Sequence, residues 1–251
     1  MNTGPGSAAG GFVPDEPGRD SAALVREALR ERGLARLRLR TEEAFLELAG
    51  RLGEIGLRTD LVIDPARAED ELRRRRTGGA AERPVVYAPA ALEFHTDRPT
   101  VDVIGWYCVE QDARDGAFLL IDTADVEDHF SGMELEELGK IEMNYSLRDG
   151  ETGREELYRA PLLTPSSRGR LLYYAPWQLP AGLGTEPVRL LARFAAYVSR
   201  KRETSLLRIR LAPGESLFID NRRLLHARGE LAPGSRRHIV RLYIAWSQKV
   251  P

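Results

Sequence analysis

Cysteine occurs once in the 251 residues, at Cys108. A disulfide framework is therefore excluded, and so is a thiolate-rich zinc site. Cys108 sits in the apolar run Ile104-Gly105-Trp106-Tyr107-Cys108-Val109 and reads as a small core hydrophobe. An excess of either charge is also missing. Thirty-seven basic and 38 acidic residues leave a net charge of −1, which removes any global electrostatic case for a nucleic-acid or acidic membrane partner. Lysine is scarce, at Lys140, Lys201 and Lys249, so nearly every basic residue is arginine. No run approaches the ~20 apolar residues of a membrane span. Residues 1–20 carry Gly and Pro without a basic stretch followed by an apolar one, so they read as a flexible tail and not as a signal peptide. With the lone cysteine, this points to a reducing cytoplasm. No internal repeat is visible.

Hydrophobic residues make up 42% of the chain, enough for a single packed domain over 21–251. The spacing predicts a helix capped by Ser21, running through Leu24, Val25 and Leu29 to Gly33. Residues 34–40 alternate apolar and basic, the mark of a half-buried strand. Thr41 caps a second helix with acids in its first turn. Residues 56–90 read as irregular, with a mobile loop over about 64–89. The run Arg73-Arg74-Arg75-Arg76 in that loop is either a solvated segment or part of a lid over a site. From residue 100 onward, short segments rich in β-branched and aromatic residues are separated by turns such as Arg114-Asp115-Gly116. Helices are expected at about 123–140 and 186–203. The pattern is mainly β with flanking helices, consistent with a two-sheet jelly-roll core.

Four histidines allow each to be weighed. In an extended chain, residues i and i+2 project from the same face, so His95 and Asp97 can offer an imidazole nitrogen and a carboxylate oxygen to one metal. His226 follows the strand at Ser216–Asp220 and can supply a third ligand. Two His and one carboxylate leave three positions open, the facial triad of iron(II) oxygenases. An isolated His-x-Asp is a weak signal and alone reads as a surface turn. More specific is the strand after His226. By period 2, Arg237, Ile239, Arg241 and Tyr243 share one face while His238 faces the other. Two inward arginines need anionic partners, and a dicarboxylate supplies them through bidentate pairing.

At these residues the chain resembles the clavaminate synthase-like, or taurine dioxygenase-like, branch of the Fe(II)/2-oxoglutarate-dependent oxygenases. The resemblance covers roughly 90–246. It rests on HTD at 95–97, DNRRLLHAR at 220–228, and RRHIVR at 236–241. It implies a double-stranded β-helix with Fe(II) held by His95, Asp97 and His226, and with 2-oxoglutarate and O2 as co-substrates. Arg237 would bind the distal carboxylate of 2-oxoglutarate. Arg241 would lie near its C1 carboxylate or near an anionic group of the substrate. Implied is hydroxylation of an unactivated C–H bond in a small polar substrate, such as an amino acid or a carrier-linked derivative, with desaturation or cyclisation by the same oxidative chemistry as an alternative. A carboxylate at position 97 argues against halogenation. There are departures. Asp115-Gly116-Ala117-Phe118 stands where the family has GGxT, and Phe118 cannot donate the threonine's hydrogen bond. Ala227 replaces a usual glycine, and the interval between the ligand motifs is short. The missing threonine is the one feature that favours the reading from another class, a catalytically inactive ligand-binding barrel.

Arg98 either reaches a substrate carboxylate or pairs with an acid such as Asp102. Tyr107, Tyr173, Tyr174 and Trp177 either line the substrate pocket or pack the core, with Tyr107 and Trp177 the candidates for substrate binding. His129, among acids on a helix, reads as a surface residue, and His238 as structural.

Overall fold

In the computed structural model the described residues are 20–78, 85–148, 155–167, 169–232 and 234–246, without the side chains of 74–78, 148 and 155. The expected tail at 1–20 therefore lies almost entirely outside them. Helix α1 (Ser21–Arg32) is capped by Asp20, whose carboxylate accepts from the Ala22 N–H at 2.8 Å, so the cap falls one residue before the expected Ser21. Gly33 ends the helix at φ +72°, a left-handed conformation that glycine adopts without strain. Strand β1 (Leu34–Arg38) follows, then α2 (Glu42–Leu52), capped by Thr41 as expected.

Residues 56–78, the first part of the stretch expected to be irregular, are not irregular. They contain most of a ten-residue strand, β2 (Gly53–Val62), and a helix, α3 (Pro65–Gly78). The helix has physical reasons to form there. Asp64 Oδ1 accepts from the Arg67 N–H at 3.0 Å, proline occupies the first helical position, and Glu69 pairs with Arg73 one turn on. These local signals were present under the arginine run. The side chains of Arg74–Arg76 and residues 79–84 fall outside the described residues, and Arg73 is exposed.

The remaining strands are β3 (Leu92–His95), β4 (Val103–Glu110), β5 (Phe118–Asp122), β6 (Glu142–Arg148), β7 (Glu155–Pro161), β8 (Leu163–Ser166), β9 (Gly169–Leu172), β10 (Leu207–Ile209), β11 (Glu215–Asp220), β12 (Leu224–Arg228) and β13 (His238–Trp246). The helix expected at 123–140 is two helices, α4 (Val126–His129) and α5 (Gly132–Lys140). Ser131 interrupts them by forming a reciprocal capping box with Glu134. Helix α6 spans Thr185–Thr204.

Two antiparallel sheets carry the core, one ordered β1-β11-β4-β13-β2 and the other β10-β5-β12-β3. Alternation along each strand sorts side chains into layers. Ile104, Trp106, Leu217, Ile239 and Tyr243 from the first sheet meet Phe118, Leu120 and Leu224 from the second. On the outer face of the first sheet, Val103, Tyr107, Phe218, Val240 and Leu242 pack under Leu29, Phe45 and Leu48 of α1 and α2. On the outer face of the second, Ile121 and Leu225 pack against Leu138 of α5 and Phe194 and Tyr197 of α6. Cys108 is fully buried, and burial pushes its thiol up to about 11, in keeping with an unreactive core residue. No helix among the described residues is long and apolar enough to cross a membrane.

Candidate metal centre

His95 ends β3 and His226 lies in the middle of β12, and the two are direct partners across this strand pair. Both are inward-facing and buried, and their rings approach to 4.2 Å between centroids. Asp97, two residues past β3, completes the group. One ligand atom from each of His95, Asp97 and His226 can be chosen so that all lie within 4.8 Å of one another. His95 Nε2 is 3.8 Å from Asp97 Oδ1, and His226 Nε2 is 3.7 Å from Asp97 Oδ2. His95 Nδ1 is 2.7 Å from the Glu93 carbonyl, which calls for the Nδ1–H tautomer and leaves the Nε2 lone pair facing Asp97.

Electrostatics favour neutral imidazoles beside an ionised carboxylate. Burial holds His95 below its usual range and drives His226 down to about 3, with the neighbouring His95 adding to the effect. Burial pushes Asp97 upward, but Arg241, His226 and His95 outweigh it, and the carboxyl is held below its ordinary value. Two neutral imidazole nitrogens and one carboxylate oxygen are a donor set that could hold a divalent transition metal.

Sequence reasoning missed what fixes Asp97. Asn221 is completely buried in the turn between β11 and β12. Its Oδ1 accepts from the Asp97 N–H at 2.8 Å, and its Nδ2 donates to the carbonyls of Val101 (2.8 Å) and Arg98 (3.3 Å). Next to it, Arg222 donates to the Pro99 carbonyl. The turn that leads to His226 thus grips the loop that carries Asp97. The signal was the DN pair inside the DNRRLLHAR segment, visible but without an assigned task.

Arg237 lies just before β13, 2% exposed, with its guanidinium 5.0 Å above the Phe118 ring. Its Nε has no hydrogen-bond partner, and among the described residues it forms no ion pair. Burial, reinforced by nearby Arg228, lowers it to about 9. A buried cation without a counter-charge is expensive, and an incoming carboxylate would relieve the cost. Phe118 provides an apolar floor where a threonine hydroxyl was missing. Gly116, at φ +76°, keeps the turn, and any Cβ there would come within 3.1 Å of Arg237 Cδ.

Arg241 occupies the inward face of β13 as expected. Its Nη1 is 3.2 Å from Asp97 Oδ2, with both groups largely buried. Trp177 stands edge-on to His95 at 4.9 Å. A cavity of about 270 Å3 opens over His95 and Asp97 and is lined among others by Arg98, Trp177, Arg241 and Tyr173. Arg98 makes no ion pair with Asp102, which instead accepts from the Trp246 N–H. Tyr107 is a correction. It stacks on Phe45 beneath α2, away from the cavity, because it has the opposite parity on β4. Its neighbour Trp106 faces inward and packs edge-on to His226 at 5.3 Å. His238 lies 2.9 Å from Asp60 on the neighbouring strand, and His129 3.4 Å from Asp125, both away from the ligand group.

The family model described as "Taurine catabolism dioxygenase TauD, TfdA family" matches residues 3–243. Among solved structures, an asparagine oxygenase in complex with Fe(II), 2S,3S-3-hydroxyasparagine and succinate aligns with a TM-score of 0.64 and 20% identity, over 89% of this chain and 79% of that one. A putative α-ketoglutarate-dependent taurine dioxygenase from Burkholderia xenovorans aligns with a TM-score of 0.64 and 17% identity, over 90% and 83%. The non-haem iron oxygenase OrfP in complex with Fe and α-ketoglutaric acid aligns with 0.61 and 16%, over 89% and 82%. At these identities the likeness is one of fold. No curated protein sequence matches.

Proposed function

From the TauD/TfdA dioxygenase family, to which the chain belongs, we propose that His95, Asp97 and His226 hold Fe(II), that Arg237 anchors 2-oxoglutarate, and that the substrate is a small amino acid or a derivative of one. The protein is a dioxygenase that uses Fe(II), 2-oxoglutarate and O2. The observation that carries the residue assignment is the convergence of three ligand atoms, two nitrogens from buried histidines and one oxygen from the partly buried Asp97, within 4.8 Å. Bound iron supplies the oxidising chemistry, in which 2-oxoglutarate is decarboxylated to succinate and CO2 as the substrate is hydroxylated.

The residues of the chain position and shield. The two imidazoles are kept neutral by burial, so they need not lose a proton to ligate. Arg241 neutralises the Asp97 carboxylate and restrains its rotation through the 3.2 Å contact. Arg237 offers a planar fork to the distal carboxylate of 2-oxoglutarate from a dry pocket whose floor is Phe118. Trp106 and Trp177 pack against the two imidazoles and limit the access of water to them. The amino-acid reading draws on the fold neighbours, whose complexes contain hydroxylated asparagine and hydroxylated arginine. A cytoplasmic setting accords with the single buried cysteine.

An anaerobic titration tests the assignment. Fe(II) followed by 2-oxoglutarate should give the coloured iron–2-oxoglutarate complex in the wild type and none in His226→Ala. Arg237→Lys should weaken 2-oxoglutarate about tenfold or more, because a point charge cannot reproduce the planar pair. A colour of normal strength and midpoint in both variants would refute the residue assignment.

A further inference from the structure

Two arginines line the cavity above His95 and Asp97, and they differ in state. Arg241 is engaged. Its Nη1 lies 3.2 Å from Asp97 Oδ2, and its guanidinium sits 4.6 Å from the centre of the Tyr243 ring. Arg98 follows Asp97 directly, and among the described residues its side chain makes no hydrogen bond and no ion pair. Glu71 of α3, also in the lining, has an interaction of its own. Among the described residues the cavity is thus left with one unpaired cation, Arg98, beside the metal-ligand group.

The backbone of Arg98 is fixed where its side chain is not. The Arg98 carbonyl accepts from Asn221 Nδ2 at 3.3 Å and from the Val101 N–H at 3.0 Å. Asn221 also accepts from the Asp97 N–H, so one buried amide sets the spacing between the metal ligand and the arginine. The side chain has room to reach a ligand. It lines the first cavity, about 270 Å3, and a second of about 240 Å3, as does Tyr243. Glu54 lines the second cavity and forms no ion pair with Arg98. A partly buried guanidinium gains little from such a place until an anion arrives, and its planar fork suits a carboxylate. The first cavity is below the ~300–1,000 Å3 typical of drug-sized ligands, which fits a compact molecule.

We infer that Arg98, and not Arg241, selects the substrate by pairing with its free carboxylate, so that carrier-linked and amidated forms are rejected. This rests on the dioxygenase reading above and adds the group on the substrate that is read and the residue that reads it. The sequence offers both arginines for an anionic group of the substrate. The pairing of Arg241 with Asp97 leaves the task to Arg98. A carrier thioester or an amide removes the carboxylate and leaves the guanidinium facing a neutral group in a partly dry cavity, at a loss of about ten- to hundredfold in affinity.

The test uses the full chain loaded with Fe(II) and 2-oxoglutarate. It is offered the proteinogenic amino acids, free and N-acetylated, each beside its α-carboxamide, which is nearly isosteric but uncharged at that end. Succinate formation and a one-oxygen mass gain are read in air. At least one acid is expected to turn over, with its amide at least about tenfold poorer in kcat/KM. Arg98→Met should raise KM for the acid by a similar factor and leave the amide nearly unchanged, so the gap between them closes. Arg98→Lys, which keeps the charge but not the fork, should retain part of the gap. In both variants the 2-oxoglutarate midpoint of the anaerobic colour titration should stay at its wild-type value. A selective loss of this kind separates recognition from damage to the fold. The inference is overturned if no acid of the panel turns over, if an amide turns over as well as its acid, or if Arg98→Met keeps the full gap. It is overturned equally if Arg98→Met shifts the 2-oxoglutarate midpoint, which would assign the guanidinium to the co-substrate. If the iron–2-oxoglutarate colour fails to form in the wild type, it is the dioxygenase assignment that falls.

Discussion

Asn221 and Arg237 make opposite demands on stability. Asn221 satisfies one donor and two acceptors of the Asp97 loop while fully buried. Asn221→Ala leaves those groups unpaired and should cost about 1–3 kcal/mol. Asn221→Asp is nearly isosteric, yet it turns an oxygen towards the carbonyls of Arg98 and Val101, so it should be at least as harmful. Denaturant melts give the stability, and Fe(II) titration should show weaker binding in both variants because the Asp97 backbone is no longer held. Arg237 behaves in the reverse sense. Among the described residues its buried charge forms no ion pair and its Nε no hydrogen bond, so Arg237→Met should stabilise the protein without 2-oxoglutarate by about 1–3 kcal/mol while abolishing the 2-oxoglutarate-dependent colour. A variant less stable than the wild type would mean that the guanidinium has a partner in solution.

The turn between β4 and β5 is the element that sets the position of Phe118 under Arg237. Asp112 organises it, accepting from the N–H groups of Arg114 (2.8 Å) and Asp115 (2.9 Å). Burial raises the Asp112 carboxyl, but hydrogen bonds from Ser235 and these N–H groups prevail and hold it at about 2. A depressed carboxylate contributes stability above its unfolded value of 3.8, and this contribution fades as pH falls from about 4 to 2. Asp112→Ala should therefore be less stable at neutral pH and show a shallower loss across that acid window, as read from melts at stepped pH. An identical acid limb in wild type and variant would mean the turn does not depend on the ionised form. The same scale explains the Tyr107 correction. Six consecutive residues of β4 are buried, so the strand lacks the polar alternation that would reveal which face is inward. Parity had to come from the partners, β11 and β13. Helix α3 shows the converse: Asp64, Pro65 and the Glu69–Arg73 spacing were legible, but the arginine run drew the reading towards a loop.

For the whole molecule, the ligand group ties β3, the 96–101 loop and β12 into one structure, so metal binding should act on global stability. A ligand that binds only the folded state stabilises by about 2.7 kcal/mol at a hundred times its Kd. Fe(II) under anaerobic conditions should raise the Tm of the wild type in a concentration-dependent way and leave that of His95→Ala unchanged. Equal shifts in the two proteins would place the metal elsewhere.

The sequence alone determined the class of fold and the chemistry on offer. Short strands with turn signals specified a two-sheet β core, and the HTD, DNRRLLHAR and RRHIVR segments carried the family likeness, because those features are local and need few neighbours to be read. Tertiary structure decided what long-range pairing must decide. It set His95 directly across from His226, brought Asn221 to Asp97 across 124 residues, turned Trp106 inward in place of Tyr107, and laid Glu71 of α3 against the same cavity as Arg98. Residues so far apart meet only through the register of β12 against β3 and of β4 between β11 and β13, and that register is set by the whole buried core and not by any one segment.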